Sequence, residues 1–341
     1  MPTNQAAKKL ISFIFPIYNE SGNIALLYQT MNDLLRSTDR YNFELIFVND
    51  GSKDDSHALL LTLQEQDDRL RIVNFSRNFG HQMAVTAGLD LSKGDAVIIM
   101  DSDMQDPPCV CLELIERWEE GYEVVYAQRR SRKDSPFKKF TAKWFYITLG
   151  MLTDISIPQN TGDFRLLDRK VVTTLNGFRE QNRFLRGMVS YAGFKQIAVL
   201  FDREDRFAGT TGYPLKKMLK FAADGIFSFS TVPLSLISQL GYGVSLVSFL
   251  GIIYALSIRL FMPTVVVPGW TFITTAILFM GGVQLIVLGI LGSYIGRIYT
   301  QVQGRPLYII DTLKQTEPTL KHDWVVSKSR PKAAARVLAK K

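Results

Sequence analysis

The sequence predicts an α/β protein with a largely parallel sheet, followed by an interfacial helix and two membrane-spanning helices. Three observations carry this. Short apolar runs alternate with helix-like stretches up to about Phe221, the pattern of strands joined by crossover helices. Several of these runs end in acidic or amide residues. Beyond Phe221 the chain carries no charge between Asp224 and Arg259, and again none between Arg259 and Arg297. With 341 residues, 47% of them hydrophobic, there is ample chain for a full domain core and more.

The first run, "LISFIFPI" (10–17), reads as a strand and not a signal peptide. It is too short for an h-region with a cleavage site, and it runs into Asn19 and Glu20. "SGNIALLYQTMNDLLRS" then reads as a helix, "FELIFVND" and "LRIVNFS" as the next strands, and "DAVIIMDSD" as the fourth. "PPCVCLELIERWEEG" opens on proline and closes on Gly121, the asymmetry expected of a helix. "YEVVYAQRR" follows as a strand. Cys109 and Cys111 do not form a C-x-x-C and are expected to pack. His57, His81 and His322 are scattered, which points to no histidine metal site.

"YPLKKMLKFAADGIFSFS" places Leu215, Met218, Leu219, Ala222 and Ile226 on an apolar face and Lys216, Lys220 and Asp224 on another. This is the pattern of a helix lying in a membrane interface. Each uncharged gap exceeds the roughly 20 residues a spanning helix needs, and spans are expected at Pro233–Phe261 and Trp270–Tyr299. A pair of buried core helices is disfavoured, because soluble helices of that length carry a charged face. Lys216, Lys217 and Lys220 precede the spans, Arg297, Arg305 and Lys314 follow them, and the link "MPTVVVPG" has no charge. The positive-inside rule then puts both termini, and with them the soluble α/β part, in the cytoplasm and the hairpin loop outside, in a multi-pass arrangement. Gly292 and Gly296 form a G-x-x-x-G that fits packing on a neighbouring copy or within the hairpin itself. The tail after Lys328 is basic and of low complexity. The expected units are 1–212, 213–231, 232–299 and 300–341. The formal charge of +8 suits a membrane margin; no nucleic-acid-binding motif accompanies it.

In open α/β sheets ligands bind beyond the carboxyl ends of the strands. There this chain has Tyr18-Asn19-Glu20, Asn49-Asp50-Gly51-Ser52, and Asp101, Asp103 and Asp106. No G-x-G-x-x-G turn or P-loop is present, so the backbone has no ready cradle for a pyrophosphate. Mg²⁺ and Mn²⁺ take carboxylates, waters and phosphates together. Spacing alone leaves two readings open: a metal-bridged nucleoside diphosphate, or a solvated acidic loop.

In order, "FIFPIYNE", "FVNDGSKDDS", "SRNFG", "MDSDMQDPP" and "NTGDFRLLDR" resemble the inverting GT-A glycosyltransferases. Within them the chain most resembles the polyprenyl-phosphate sugar transferases, the bactoprenol glucosyltransferases and dolichyl-phosphate mannose synthases, from about Leu10 to Tyr308. The resemblance implies a GT-A, Rossmann-like catalytic domain with a mostly parallel sheet. It implies that Pro16, Tyr18, Glu20 and Asp50 hold the nucleoside, and that Asp101 and Asp103 grip a divalent ion, Mg²⁺ or Mn²⁺, with Gln105 as a further ligand. Asp103 and Asp163 are then the catalytic carboxylates. Asp163 matches a position proposed as base; since a lipid phosphate is already ionised, orientation is its expected contribution. Arg129, Arg130, Arg132 and Arg165 are expected to clamp the acceptor phosphate, and Arg206 to reach the donor diphosphate. Gly212 stands where relatives commonly carry a lysine, so that contact falls to Lys216 or is missing.

The resemblance thus implies transfer of one sugar from a nucleotide donor, UDP-glucose favoured, to polyprenyl or undecaprenyl phosphate at the inner membrane. A processive polysaccharide synthase is the second enzyme reading, but its Gln-x-x-Arg-Trp motif is missing. A silent membrane scaffold is the third, and the retained Asp50, Asp101, Asp103, Asp163 and Arg206 speak against it.

Overall fold

The structure, a computed structural model, describes residues 8–130, 158, 161–202, 232–261 and 269–315. Arg132, Arg206, Gly212, Lys216, the expected interfacial helix and the basic tail lie outside these residues. The described chain runs β1 (Leu10–Ile17), α1 (Ser21–Arg36), β2 (Asn42–Asn49), α2 (Ser56–Gln64), β3 (Leu70–Phe75), α3 (His81–Leu91), β4 (Ala96–Ile99), α4 (Val110–Glu119) and β5 (Val124–Arg129). It continues with β6 (Thr161–Asp168), α5 (Arg169–Gly177), α6 (Leu185–Ala192), β7 (Gln196–Phe201), α7 (Val232–Phe261), α8 (Trp270–Val302) and β8 (Ile310–Lys314).

The strands form one sheet in the order β7-β5-β6-β4-β1-β2-β3-β8. The block β3-β2-β1-β4 is parallel throughout. β6 enters antiparallel between β4 and β5, β7 pairs parallel with β5, and β8 closes the far edge antiparallel to β3. Helices cover both faces, so the central strands read as almost unbroken apolar runs. On one face Phe13, Phe15, Leu45, Phe47, Ile98 and Leu166 pack against Ile24, Leu27 and Met31 of α1 and Leu114 of α4. On the other, Ile14, Ile46, Val48, Val97 and Leu167 meet Val85 of α3, Val172 of α5 and Met188 of α6. The contact of α3 with β1 needs Gly88, since a Cβ there would stand 2.3 Å from Ile14 Cγ2.

Cys111 is in the core, whereas Cys109, also expected to pack, is exposed. The helix α4 begins at Val110, leaving Cys109 as its outward-facing cap. α7 and α8 are long and apolar enough to cross a membrane, over Leu234–Gly251 and Phe279–Val302, and neither stretch is covered by the rest of the protein. Leu246, Phe249, Ile253, Leu285 and Leu288 point outward, a surface that suits lipid and not water.

Candidate active site

β4, β1 and β2 are neighbours in the sheet, so the loops that follow them share one rim. The first two loops are knitted by hydrogen bonds. Asn19 N donates to Ser52 Oγ at 2.9 Å, and Lys53 N donates back to Asn19 Oδ1 at 2.8 Å. Glu20 N donates to Ser56 Oγ and Ser21 N to Asp54 Oδ2, both at 3.0 Å. The amides entering α1 are thus satisfied from a neighbouring loop, without a side-chain cap of their own. Asn19 adopts φ 55°, which asparagine tolerates better than most residues. Pro16 is buried beneath this rim and its carbonyl accepts from Ser102 Oγ at 3.2 Å. Tyr18 stands exposed at the mouth. The Glu20 carboxylate accepts from Asn23 Nδ2 at 2.5 Å.

Asp50 is buried and binds protein with both oxygens. Oδ1 accepts from Phe79 N at 2.6 Å and Oδ2 from Gly80 N at 2.9 Å. Burial pushes its carboxyl up, and the two amides pull it back. A carboxylate offers about four lone-pair sites, so this stitching leaves capacity for a ligand. Gly51, at φ +65°, is required where the chain turns: a Cβ would lie 2.5 Å from the Arg77 carbonyl carbon.

After β4 the chain leaves the sheet through Asp101, whose side chain is 38% exposed, into buried Asp103, Gln105 and Asp106. Gln105 N donates to Asp103 Oδ1 at 3.2 Å. Between them Met104 holds φ 59°, a left-handed conformation that costs a non-glycine residue roughly 1–2 kcal/mol and tends to persist where function fixes it. Burial raises the Asp101 carboxyl; His81 opposes that shift, while Asp163 and Asp103 add to it by repulsion. Among the described residues no cluster of three or more His, Cys, Asp or Glu forms a ready cage for a metal. Two carboxylates that repel each other are nevertheless the donor set suited to Mg²⁺ or Mn²⁺ when substrate phosphates complete the coordination.

The antiparallel strand β6 brings Asp163 to the same rim. In register with β4, Arg165 pairs with Ile99, so Asp163 lies just past the strand end from which Asp101 emerges. Asp163 is 5% exposed and is held on three sides. Arg186 Nε donates to Oδ1 at 2.9 Å, Gln82 Nε2 donates to Oδ2 at 2.9 Å, and His81 Nε2 lies 3.1 Å from Oδ2. His81 Nε2 also lies 3.7 Å from Asp101 Oδ1, joining the two carboxylates. Burial works to raise the Asp163 carboxyl, but Arg186, His81 and Arg165 together hold it well below the usual carboxylate range. Burial lowers the His81 imidazolium, and the hydrogen bond to Asp163 with the charge of Asp101 overcomes this, raising it to about 9. Asp163 is therefore a fixed carboxylate in a cationic frame.

His81, Gln82 and Arg186 join the candidate site through Asp163, and sequence reading missed them. For the first two the available signal was position: Gly80, at φ +102°, ends the "SRNFG" loop and α3 begins with His81 and Gln82. Arg186 lies on α6, a separate helix, and nothing local marks it. The expected phosphate clamps divide. Arg129 is partly buried near Gly162, and Arg130 is exposed and paired with Asp202 at 3.4 Å. Arg165 departs from the expectation of an open clamp: it is 4% exposed, donates to Gly162 O at 2.8 Å, and burial lowers it to about 10.

A family model described as "Glycosyl transferase family 2" matches residues 12–175, which carry the rim and Asp163. The chain is also 49% identical over 300 residues, 88% of its length, to the uncharacterized glycosyltransferase YkcC of Bacillus subtilis (strain 168), covering 92% of that protein. The chain belongs to glycosyl transferase family 2. This family 2 glycosyltransferase is 39% identical, over 89% of its length, to the bactoprenol glucosyl transferase of Shigella phage SfV, 99% of which is covered. Among solved structures, glucosyl-3-phosphoglycerate synthase from Mycobacterium tuberculosis matches 65% of the chain and 78% of its own, at 19% identity and a TM-score of 0.43.

Proposed function

We propose that this glycosyltransferase moves one sugar, glucose favoured, from a nucleoside diphosphate donor to a polyprenyl phosphate such as undecaprenyl phosphate, inverting the anomeric carbon. UDP-glucose is the favoured donor. The observation that carries the reading is the bridging of Asp101, two residues before Asp103, through His81 to a buried Asp163 whose carboxyl is held well below the usual carboxylate range, in a chain that also carries two uncovered apolar helices. The name of the phage relative supports the lipid acceptor.

Asp101 and Asp103, with Gln105 beside them, would hold Mg²⁺ or Mn²⁺, which supplies charge stabilisation to the departing diphosphate. Pro16, Tyr18, Glu20 and Asp50 line the nucleoside side, and Arg206 serves the diphosphate. An acceptor phosphate oxygen attacks the anomeric carbon, and the bond from that carbon to the donor diphosphate breaks on the opposite side. Because the acceptor is ionised at neutral pH, no proton has to be removed. Asp163, held by Arg186 and Gln82, orients the sugar and keeps a cationic surround in place for the incoming phosphate. Arg129, Arg130 and Arg132 complete that surround, since guanidinium groups pair bidentately with phosphate oxygens. The catalytic domain and both termini face the cytoplasm, 213–231 lies in the interface, and the product is a lipid-linked sugar for cell-envelope glycan modification.

The test is transfer by the full chain in membranes supplied with polyprenyl phosphate and a panel of nucleotide sugars. Lipid-linked sugar should form only with a divalent cation. Asp101→Asn and Asp103→Asn should each lower turnover at least about a hundredfold, the scale of losing a charge-stabilising group. Product that forms equally well with chelator present, or with both carboxylates replaced, sinks the proposal.

A further inference from the structure

The second apolar helix does not simply end at the protein surface. Its last turn and the segment after it are docked on the loop between α5 and α6 through reciprocal hydrogen bonds. Gln181 N donates to Gln301 Oε1 at 2.8 Å, and Gln301 Nε2 donates to Arg179 O at 3.1 Å. Gln181 Nε2 donates to the Arg305 carbonyl, one turn beyond. The same loop is anchored to α3 from its other side. Arg179 grips Asp90 with both terminal nitrogens at 2.8 Å, and Tyr308 donates its hydroxyl to Asp90 at 2.7 Å. Arg183 Nη1 donates to the Phe178 carbonyl and folds the loop on itself.

The loop has one functional destination. Five residues beyond Gln181, on the first turn of α6, stands Arg186, whose Nε holds Asp163. Leu185 N at the start of that helix donates to Gln82 Oε1 at 3.0 Å, and Gln82 Nε2 holds the same carboxylate. A shift of the 178–184 loop therefore moves two of the three groups that fix Asp163. The chain after the helix is tied to the sheet as well: Tyr308 stacks on Phe75 at 5.1 Å, Ser76 N donates to Ile309 O, and β8 pairs with β3. The cytoplasmic end of the span thus has one seat.

We propose that Gln181 and Gln301 are positioning residues for glycosyl transfer. They seat the membrane hairpin on the loop that delivers Arg186 to Asp163, so that the hairpin aligns the acceptor side of the site besides anchoring the enzyme. The donor side is built on the β1, β2 and β4 loops, whose own bonds run between Asn19, Ser52 and Lys53 and from the Phe79 and Gly80 amides to Asp50. The claim rests on the functional reading given under Proposed function. It concerns alignment at the reacting end and not affinity for the nucleotide.

The experiment uses the full chain in bilayers, with Gln301→Ala, Gln181→Ala and Gln301→Glu beside the parent enzyme. Three quantities are read: turnover with polyprenyl phosphate, affinity for UDP with Mn²⁺, and amide exchange over residues 178–192. Gln301→Ala should lower kcat roughly five- to tenfold, the scale of one or two neutral hydrogen bonds. It should leave UDP affinity within about twofold and speed exchange over 178–192, since local opening is what exchange reports. Gln301→Glu keeps the acceptor for Gln181 N but loses the donor to Arg179 O, and should fall between parent and alanine variant. Unchanged kcat, unchanged exchange, or UDP affinity falling in step with kcat each overturns the proposal. Parent membranes that transfer no sugar overturn the functional reading instead, and the exchange arm still decides whether the seat controls the loop.

Discussion

The two halves of the sheet hold the carboxylates of the candidate site by different means. In the parallel block, Asp50 is fixed by two backbone amides from the neighbouring loop. Around the antiparallel strand β6, Asp163 is fixed by side chains carried from α3 and α6, one of them an arginine and another a histidine. Backbone amides are neutral, close to the sheet, and present whatever the side chains are. Charged partners hold a carboxylate more tightly and lower its pKa further, but each depends on a remote helix staying in place. The first arrangement makes a rigid shelf; the second fixes the charge of Asp163 but ties its position to two helices.

The comparison breaks most severely at Arg186. Arg186→Ala leaves the buried Asp163 carboxylate with His81 and Gln82, and losing one partner of a buried ion pair costs about 3–5 kcal/mol. The melting temperature should drop sharply and turnover with it. Replacing Asp163 by asparagine in the same chain removes the stranded charge, so the double variant should recover most of the stability and none of the turnover. Thermal unfolding and transfer rates on the two single variants and the double one form the cycle that measures this coupling. Additive losses of stability would show that the pair does not act as a unit.

Asp50→Asn tests the other half. An asparagine amide presents one oxygen and one NH₂ where the carboxylate offered two acceptors, so either Phe79 N or Gly80 N meets a donor. An unsatisfied buried group of that kind costs about 1–3 kcal/mol. Stability and nucleotide affinity should fall together, with the acceptor KM unchanged. The contrast is sharpened if Asp50→Asn spares acceptor binding while Arg186→Ala spares UDP affinity.

The halves also differ in how far they could be read from sequence. β1 was legible to the residue, because a strand buried on both faces is one apolar run bounded by polar residues. α1 and α4 were legible through periodicity, proline and glycine. The rim formed by the loops after β1, β2 and β4 followed from the rule that ligands sit at carboxyl ends of parallel strands. β6 was not legible as a strand. "TGDFRLLD" carries Asp163 and Arg165 in buried positions and ends on Asp168, and three charges in eight residues hide a strand whose neighbours are distant in sequence. Its antiparallel insertion between β4 and β5 is a decision of tertiary packing. Arg186 and Gln301 were hidden for the same reason: each acquires meaning only from a partner that folding brings to it from 23 and 120 residues away. Both apolar helices, by contrast, were legible from the absence of charge alone.

The smallest expected effect lies in the parallel block, at Asp67, which like Glu44 on β2 meets a charged partner. Asp67, in the turn before β3, accepts from Arg69 N and Nε and from the Tyr28 hydroxyl at 3.0 Å. Burial raises its carboxyl, but the bonds from Arg69 and Tyr28 outweigh this and leave it lowered. A carboxyl whose folded pKa is depressed contributes stability that is present above its unfolded pKa, about 3.9, and is lost as pH falls through the folded value. Melting temperature should therefore be insensitive to this group from pH 7 down to about 5 and decline below about 4. Asp67→Asn should flatten that decline while shifting the neutral-pH melting temperature only slightly, because Arg69 is a third exposed and water screens the pair. The parent and the variant showing the same acid slope would mean that Tyr28 and the turn backbone, and not the charge on Asp67, hold this corner of the sheet.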